Sequence, residues 1–271
     1  MKYIFLDIDG TLFDHRKYAI PDSAYQAVEL ARRAGHKVFI CTGRTCCLLD
    51  HVKDMDYDGV VAAAGAYVQI QEEIIYEDRI SYQELEGIME FCISKGVSYV
   101  LEGKKGIYMH SMVREYFFEG EGRERPGHEF FKQPAVYSME DYDPETETIY
   151  KFCIYSLEEE ALAEIEKEYG GGYQFIHSMP NEGSLHCVEV MSIRNNKAGG
   201  IRKVLEYYGG GMEDTVAVGD SMNDLEMIKE CAVGIVMGNG DGKLKAYADY
   251  VTADIDKDGV YQGLEHYGLL A

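Results

Sequence analysis

Two carboxylates one residue apart open the chemical reading of this chain. Asp7-Ile8-Asp9-Gly10-Thr11-Leu12 follows a short apolar run. In an extended segment alternate side chains share a face, so Asp7 and Asp9 point the same way. Neighbouring like charges are tolerated only with a cation or a shared proton, and Mg²⁺, a hard ion that takes oxygen ligands, fits best. Gly10 suits a sharp departure of the backbone after the strand. Gly219-Asp220-Ser221-Met222-Asn223-Asp224 repeats the arrangement. Asp220 is placed to share the metal, and Asp224 lies one helical turn further on to hold the ion or its water. Alone, this second motif would read as a helix N-cap; beside the first it reads as a site. Thr42-Gly43-Arg44 follows another apolar run, and Lys197 opens a predicted helix. A cation is slightly unfavourable at a helix N-terminus, so Lys197 is expected to have a specific partner.

The elements that must position these residues alternate in type. Tyr3 to Ile8 reads as a buried parallel strand, Ala24 to Ala34 as a helix closed by Gly35, and Lys37 to Cys41 as a strand. A helix over Leu48 to Met55 and a strand over Gly59 to Ala63 follow. The rhythm returns with a helix over Lys197 to Tyr208, a strand over Thr215 to Val218, a helix over Met222 to Glu230 and a strand over Ala232 to Met237. A short helix is expected over Lys243 to Ala248. Repeated strand–helix–strand units imply a Rossmann-like, doubly wound parallel sheet. Ligands of such sheets bind beyond the carboxyl ends of the strands, where Asp7, Asp9, Thr42 and Asp220 converge.

Residues 81–185 differ in character. Helices over Gln83 to Ser94 and Leu157 to Tyr169, and strands over Ser98 to Glu102, Ile107 to His110, Tyr150 to Tyr155, near Tyr173 to His177 and from Leu185 to Met191, describe an α+β module inserted in the α/β core. The core is then residues 1–80 and 186–271. The insert is expected to close over the site and exclude water. Its aromatics, Tyr99, Tyr108, Tyr116, Phe117, Phe118, Phe130 and Phe131, read chiefly as packing. Arg114, Arg123, Arg125 and His128 on a charge-mixed stretch read as solvated.

Composition sets the limits. The chain has 271 residues, 46% hydrophobic and 27% charged, and its formal net charge is −22. Such a surface repels nucleic-acid phosphates and anionic lipid, so neither is an expected partner. It also repels a phosphorylated metabolite at long range, so a phosphate site must be made locally positive by a metal, a few cations and helix N-termini. No run approaches the roughly 20 apolar residues of a membrane span, and the first residues lack a signal peptide's apolar region, so the cytoplasm is expected. The seven cysteines form no CxxC pair, which disfavours structural zinc and a disulfide scaffold. Cys46 and Cys47, adjacent near a predicted helix start, read as packing residues.

The DxDGT motif at Asp7, Thr42-Gly43-Arg44 at a strand end, Lys197 opening a helix, and GDSxND at Asp220, in this order, resemble the haloacid dehalogenase (HAD) superfamily. The place and pattern of the insertion resemble its Cof-type branch, subfamily IIB, with a C2B-type cap. Met237-Gly238-Asn239 and Ala248-Asp249-Tyr250 are similar to that branch's C-terminal pattern. The resemblance implies that Asp7 attacks phosphorus, and that Asp9 protonates the leaving oxygen and later activates water. It implies that Thr42, Gly43 and Asn223 hold phosphoryl oxygens and that Lys197 neutralises their charge. It further implies Mg²⁺ on Asp7, the backbone carbonyl of Asp9 and Asp220, with Asp224 in support.

Two departures stand out. The branch usually carries Asn-Gly-Ala where this chain has Ala64-Gly65-Ala66, and Gly where it has Ala198. The expected function is a Mg²⁺-dependent phosphatase acting on sugar phosphates or phosphorylated cofactors, as a monomer or weak homodimer. A phosphotransferase resembling phosphomannomutase, and a binding protein that has lost activity, are the competing readings.

Overall fold

The N-terminal strand is central because its residues can only be buried. In a computed structural model that describes residues 1–118, 135–177 and 185–270, β1 (Tyr3–Leu6) is buried throughout. Ile4, Phe5 and Leu6 are fully inaccessible, each contributing roughly 1.5–3 kcal/mol by burial. β1 pairs in parallel with β2 (Lys37–Cys41) on one side and β12 (Thr215–Gly219) on the other. Between β1 and β2 runs α1 (Asp22–Arg33), whose Ala24, Ala27, Val28 and Ala31 form one buried stripe at helical spacing.

Outward from β2 lie β3 (Gly59–Ala62) and the antiparallel hairpin of β4 (Tyr67–Ile70) and β5 (Glu73–Glu77). Outward from β12 lie β13 (Val233–Val236) and β14 (Tyr250–Val251), both parallel. The eight-stranded order is β14-β13-β12-β1-β2-β3-β4-β5. Helices α5 (Lys197–Tyr208), α6 (Leu225–Glu230), α7 (Gly242–Lys245) and α8 (Gly259–His266) complete this unit. Ile201, Val204 and Leu205 of α5 and Met227 and Ile228 of α6 pack with Phe5, Phe39 and Val61 in its core.

The second compact unit is built on a six-stranded sheet, order β10-β11-β9-β6-β7-β8. Its strands are β6 (Ser98–Gly103), β7 (Ile107–Met109), β8 (Val136–Ser138), β9 (Ile149–Ser156), β10 (Tyr173–His177) and β11 (His186–Ser192). All pair antiparallel except β7 with β8. Alternation along β9 gives the sheet two unlike faces. Phe152 and Ile154 join Leu85, Ile88 and Cys92 of α2 (Tyr82–Ser94) and Leu162 and Ile165 of α4 (Glu159–Tyr169). Cys153 and Tyr155 join Val113 and Phe117 of α3 (Ser111–Phe118) on the other side.

The sequence and the structure differ in four places. The division falls at Asp78–Arg194 together with Thr45–Leu48, not at 81–185. β11 pairs with β9 and β10, so the strand expected from Leu185 to Met191 belongs to the inserted unit as a whole, past the boundary expected at 185. The helix expected over Leu48 to Met55 is instead two 3-10 turns, Cys46–Leu48 and Asp50–Val52. Leu48 is drawn into the apolar cluster of the second unit, and the nearby aspartates favour turns over a helix interior. The hairpin β4–β5, helix α3 and strand β8 were not anticipated. Phe130, Phe131, Arg123, Arg125 and His128 lie outside the described residues.

Candidate active site

Each motif residue stands at the carboxyl end of a parallel strand or the start of a helix. Asp7 follows β1 and extends its ladder by donating its amide to Val218 (3.0 Å). Thr42 follows β2, Asp220 follows β12, and Lys197 is the first residue of α5. The α5 N-cap is Asn196, whose side chain accepts from the Gly199 amide at 2.7 Å.

Lys197 is fully buried, and its ammonium lies 2.6 Å from Asp7 Oδ1 and 2.5 Å from Asp224 Oδ1. Burial works against its charge, but Asp224 and Asp7 hold its pKa above the usual lysine value. Asp224 is committed on both oxygens. Oδ2 accepts from the amides of Asp220 (2.9 Å) and Ser221 (3.1 Å) while Oδ1 takes Lys197. It therefore shapes the turn after β12 and orients the lysine. Asn223 Oδ1 accepts from Ser221 Oγ at 2.8 Å and from Lys197 at 3.4 Å. Its amide nitrogen lies 3.7 Å from the place a Gly43 Cβ would occupy, which brings Asn223 to the Thr42–Gly43 loop. Thr42 is fully buried, and its hydroxyl accepts from the Arg44 amide at 3.1 Å.

One oxygen per residue of Asp7, Asp220 and Asp224 can be chosen so that all lie within 4.8 Å of one another. Asp220 Oδ1 is buried without a partner among the described residues, which is costly unless something absent here binds it. Burial, with Asp224 and Asp9 nearby, pushes the Asp220 carboxyl up to about 7. Burial and the same kind of crowding push Asp7 well up, against the pull of Lys197. Four carboxylates facing Lys197 and Arg44 leave negative charge uncompensated, and a hard divalent cation fits that donor set. Gly10 (φ +77°) lets Asp220 approach the backbone: a Cβ there would stand 2.1 Å from Asp220 Oδ2.

Asp9 has separate partners. Arg44 grips it through Nε to Oδ2 (2.8 Å) and Nη2 to Oδ1 (2.6 Å), and His15 Nε2 meets Oδ1 at 2.7 Å. Against the cost of burial, these hydrogen bonds hold Asp9 well below the usual carboxylate range. Arg44 is itself steadied by His51 Nδ1 at 3.0 Å, and the Phe13 ring packs edge-on against His15 and His51.

All the predicted residues, Asp7, Asp9, Thr42, Gly43, Lys197, Asp220, Asn223 and Asp224, lie in the first compact unit. Three contributors were missed. His15 sits in a loop and His51 in the 3-10 turn Asp50–Val52, without any metal-type spacing, so no sequence signal marks them. Asn239 had a signal, in the C-terminal pattern, but no assigned role. Its side-chain amide donates to the Gly10 carbonyl (2.8 Å) and accepts from the Ile255 amide (2.7 Å), clamping the turn after Asp9.

The Ala63–Ala64–Gly65 turn, where the relatives' asparagine was expected, is left-handed throughout, with φ of 48°, 51° and 96°. The amides of Ala63 and Ala64 donate to the carbonyls of Arg44 (2.7 Å) and Thr42 (3.0 Å). The turn thus braces the Thr42–Arg44 loop from behind.

The chain as a whole matches known proteins. The profile of the haloacid dehalogenase-like hydrolases covers residues 4–264. The chain belongs to that family. It is 28% identical over 270 residues to the putative phosphatase YkrA of Bacillus subtilis (strain 168), spanning 99% of this chain and 98% of that one. It is also 28% identical to the 5-amino-6-(5-phospho-D-ribitylamino)uracil phosphatase YcsE of the same organism, over 99% of this chain and 96% of that one. The solved HAD subclass IIB sugar phosphatase BT4131 covers both chains completely, with a TM-score of 0.79 and 28% identity. This HAD chain is a hydrolase of phosphate esters with a parallel-sheet core. Among the described residues, no helix is long and apolar enough to cross a membrane.

Proposed function

We propose that this HAD hydrolase is a Mg²⁺-dependent phosphatase of small phosphorylated metabolites, sugar phosphates or phosphorylated cofactors, working through an aspartyl phosphate on Asp7. The observation that carries the reading is the buried Lys197 between Asp7 and Asp224, beside an Asp220 oxygen that has no partner among the described residues. Names borne by the relatives, a ribitylaminouracil phosphatase and a sugar phosphatase, support the substrate class.

Asp7 attacks phosphorus while the leaving oxygen takes a proton from Asp9. Water, deprotonated by Asp9, then attacks the aspartyl phosphate and releases inorganic phosphate. Thr42, the Gly43 amide, Asn223 and Lys197 receive the phosphoryl oxygens, so charge is met by fixed donors. Asp7, the Asp9 carbonyl and Asp220 would hold Mg²⁺, with Asp224 behind them, and the ion would offset the carboxylate charge and orient the phosphoryl group. Asp9 as found, gripped by Arg44 and His15, is a carboxylate ready to act as a base. To act first as an acid it must gain a proton, and an incoming phosphate offers Arg44 a competing anion.

The test is release of inorganic phosphate from a panel of phosphorylated metabolites with Mg²⁺, with and without chelator, for wild type, Asp7→Asn and Asp9→Asn. Release by wild type alone, lost on chelation, is expected. No release from any member, or release that ignores chelator, defeats the proposal. Phosphate found only on an isomeric sugar assigns a phosphotransferase instead.

A further inference from the structure

The proposed mechanism needs the Asp9 carboxyl in one place for two steps, and three pieces of chain decide where it stands. The loop after β1 closes on itself, the Gly10 amide donating to the Phe13 carbonyl at 3.1 Å. Asp9 and the buried Phe13 ring therefore share one tight turn. Arg44, from the loop after β2, meets Asp9 through Nε at 2.8 Å and Nη2 at 2.6 Å. A bidentate pair of this kind fixes its two members to each other. It does not by itself fix them to the scaffold. That anchor is His51, carried on the 3-10 turn Asp50–Val52, whose Nδ1 lies 3.0 Å from a third guanidinium nitrogen, Nη1.

Arginine can only donate hydrogen bonds, so His51 Nδ1 must offer its lone pair and the ring proton must stand on Nε2. Burial, with the Arg44 charge beside it, pushes the His51 ring below its ordinary value, which keeps that lone pair available. The imidazole is held in its turn. Phe13 packs edge-on against it with 4.3 Å between centroids, and Val52, next in the chain, is fully buried. The Arg44 guanidinium lies 5.6 Å from the centre of the same Phe13 ring. His15, by contrast, reaches Asp9 from a side chain that is 60% exposed.

We propose that His51 is a positioning residue for phosphate-ester hydrolysis: its Nδ1 fixes Arg44, and Arg44 holds the Asp9 carboxyl where the leaving oxygen departs. The assignment rests on the reading of Asp9 as the general acid. As the ester P–O bond breaks, the departing oxygen takes the Asp9 proton, so a carboxyl that drifts delivers it less well. The constant kcat/KM extends only to the first irreversible step, departure of the alcohol. It therefore records Asp9 as an acid and not its later work on water. A sugar alkoxide needs that proton, whereas p-nitrophenolate leaves without one.

Two substitutions separate positioning from packing. His51→Phe keeps an aromatic ring against Phe13 but has no acceptor, and His51→Asn supplies a carbonyl oxygen as acceptor in place of Nδ1. Values of kcat/KM with Mg²⁺ are compared for p-nitrophenyl phosphate and for ribose 5-phosphate or glucose 6-phosphate, whichever wild type hydrolyses faster. In His51→Phe the loss on the sugar phosphate should exceed the loss on p-nitrophenyl phosphate by about five-fold, and His51→Asn should recover most of it. In an Arg44→Gln background His51→Phe should cost nothing further, because residues acting through one contact are not additive. Nitrogen-15 spectra of the wild-type ring should show the proton on Nε2, a readout that does not depend on activity. A packing role predicts the reverse order, with Phe tolerated and Asn harmful. That order, equal losses on both esters, a full His51→Phe penalty without Arg44, or a proton on Nδ1 overturns the assignment alone. Absence of phosphate release by wild type from every member of the panel defeats the phosphatase reading and the assignment with it.

Discussion

Lys197 and Lys151 are both buried, and each lies between two carboxylates, yet they belong to different kinds of structure. Lys151 faces Glu102 directly across the β6–β9 ladder and also takes Glu189. It lies mid-strand in the second unit, and neither glutamate is left with a buried atom lacking a partner. Lys197 stands at a helix N-terminus, where a cation is unfavourable. Around it are strand-end aspartates, one with an orphaned oxygen. Burying a charge pair gains little stability in either place. The distinction lies in completeness: among the described residues the set around Lys151 leaves no buried carboxylate oxygen unpartnered, while the set around Lys197 leaves Asp220 Oδ1, where the proposed cation would bind.

The largest expected effect is on chemistry. Asp7→Asn should lower the rate of phosphate release by on the order of 10⁴-fold or more, measured at saturating substrate. Lys197→Met and Lys151→Met then separate the two regions. Each should cost about 3–5 kcal/mol in denaturant unfolding, because each strands buried carboxylates. Only Lys197→Met should lower the kcat of the folded protein, by roughly 100-fold. Equal kcat losses from both, or none from Lys197→Met, would dissolve the contrast.

Arg44→Gln should show a smaller change, about ten-fold in kcat/KM, as Asp9 loses its bidentate partner. A loss confined to stability would make Arg44 structural.

Proton linkage sharpens the comparison further. Asp220 titrates near 7 in the metal-free fold against an ordinary 3.8, so the folded state binds this proton more tightly than the unfolded one. Its contribution to stability therefore falls as pH rises from about 4 to about 7 and is level above that. Chelated Asp220→Asn should melt higher than chelated wild type, with the gap opening across that window. Mg²⁺ should raise the wild-type melting temperature and leave the variant little changed.

The smallest effect concerns the brace behind Thr42. Ala64 is held at φ 51°, ψ 39°, a conformation that asparagine adopts more readily. Ala64→Asn should stabilise by about 0.5–1 kcal/mol in the same unfolding assay, and no gain would show that the new side chain is crowded.

How much of this was legible depended on whether a residue's role is local. Asp7, Thr42 and Asp220 could be placed from sequence because strand ends and motif spacing determine where they converge. Lys197 stood out because it sits where a cation needs a reason. The grip of His15 and Arg44 on Asp9 was hidden, since it depends on how two loops fold back. The turns over Cys46–Leu48 and Asp50–Val52 were misread as a helix because Leu48 answers to packing in the inserted unit. The boundary expected at 185 cut through β11 for a related reason: an apolar strand does not state which sheet it joins.

The clamp from Asn239 to the Gly10 carbonyl spans 229 positions of chain, and this bears on synthesis. β1 is made before the inserted unit, but its neighbour β12, the lysine at 197 and the clamp at 239 leave the ribosome only after the whole of it. That unit, with its own sheet and core, has the means to fold while β1 is still waiting on one side. Throughout that interval Asp7 and Asp9 are present without the groups that surround them in the folded unit. The proposed nucleophile is made before the inserted unit, and the groups that would arm it come after.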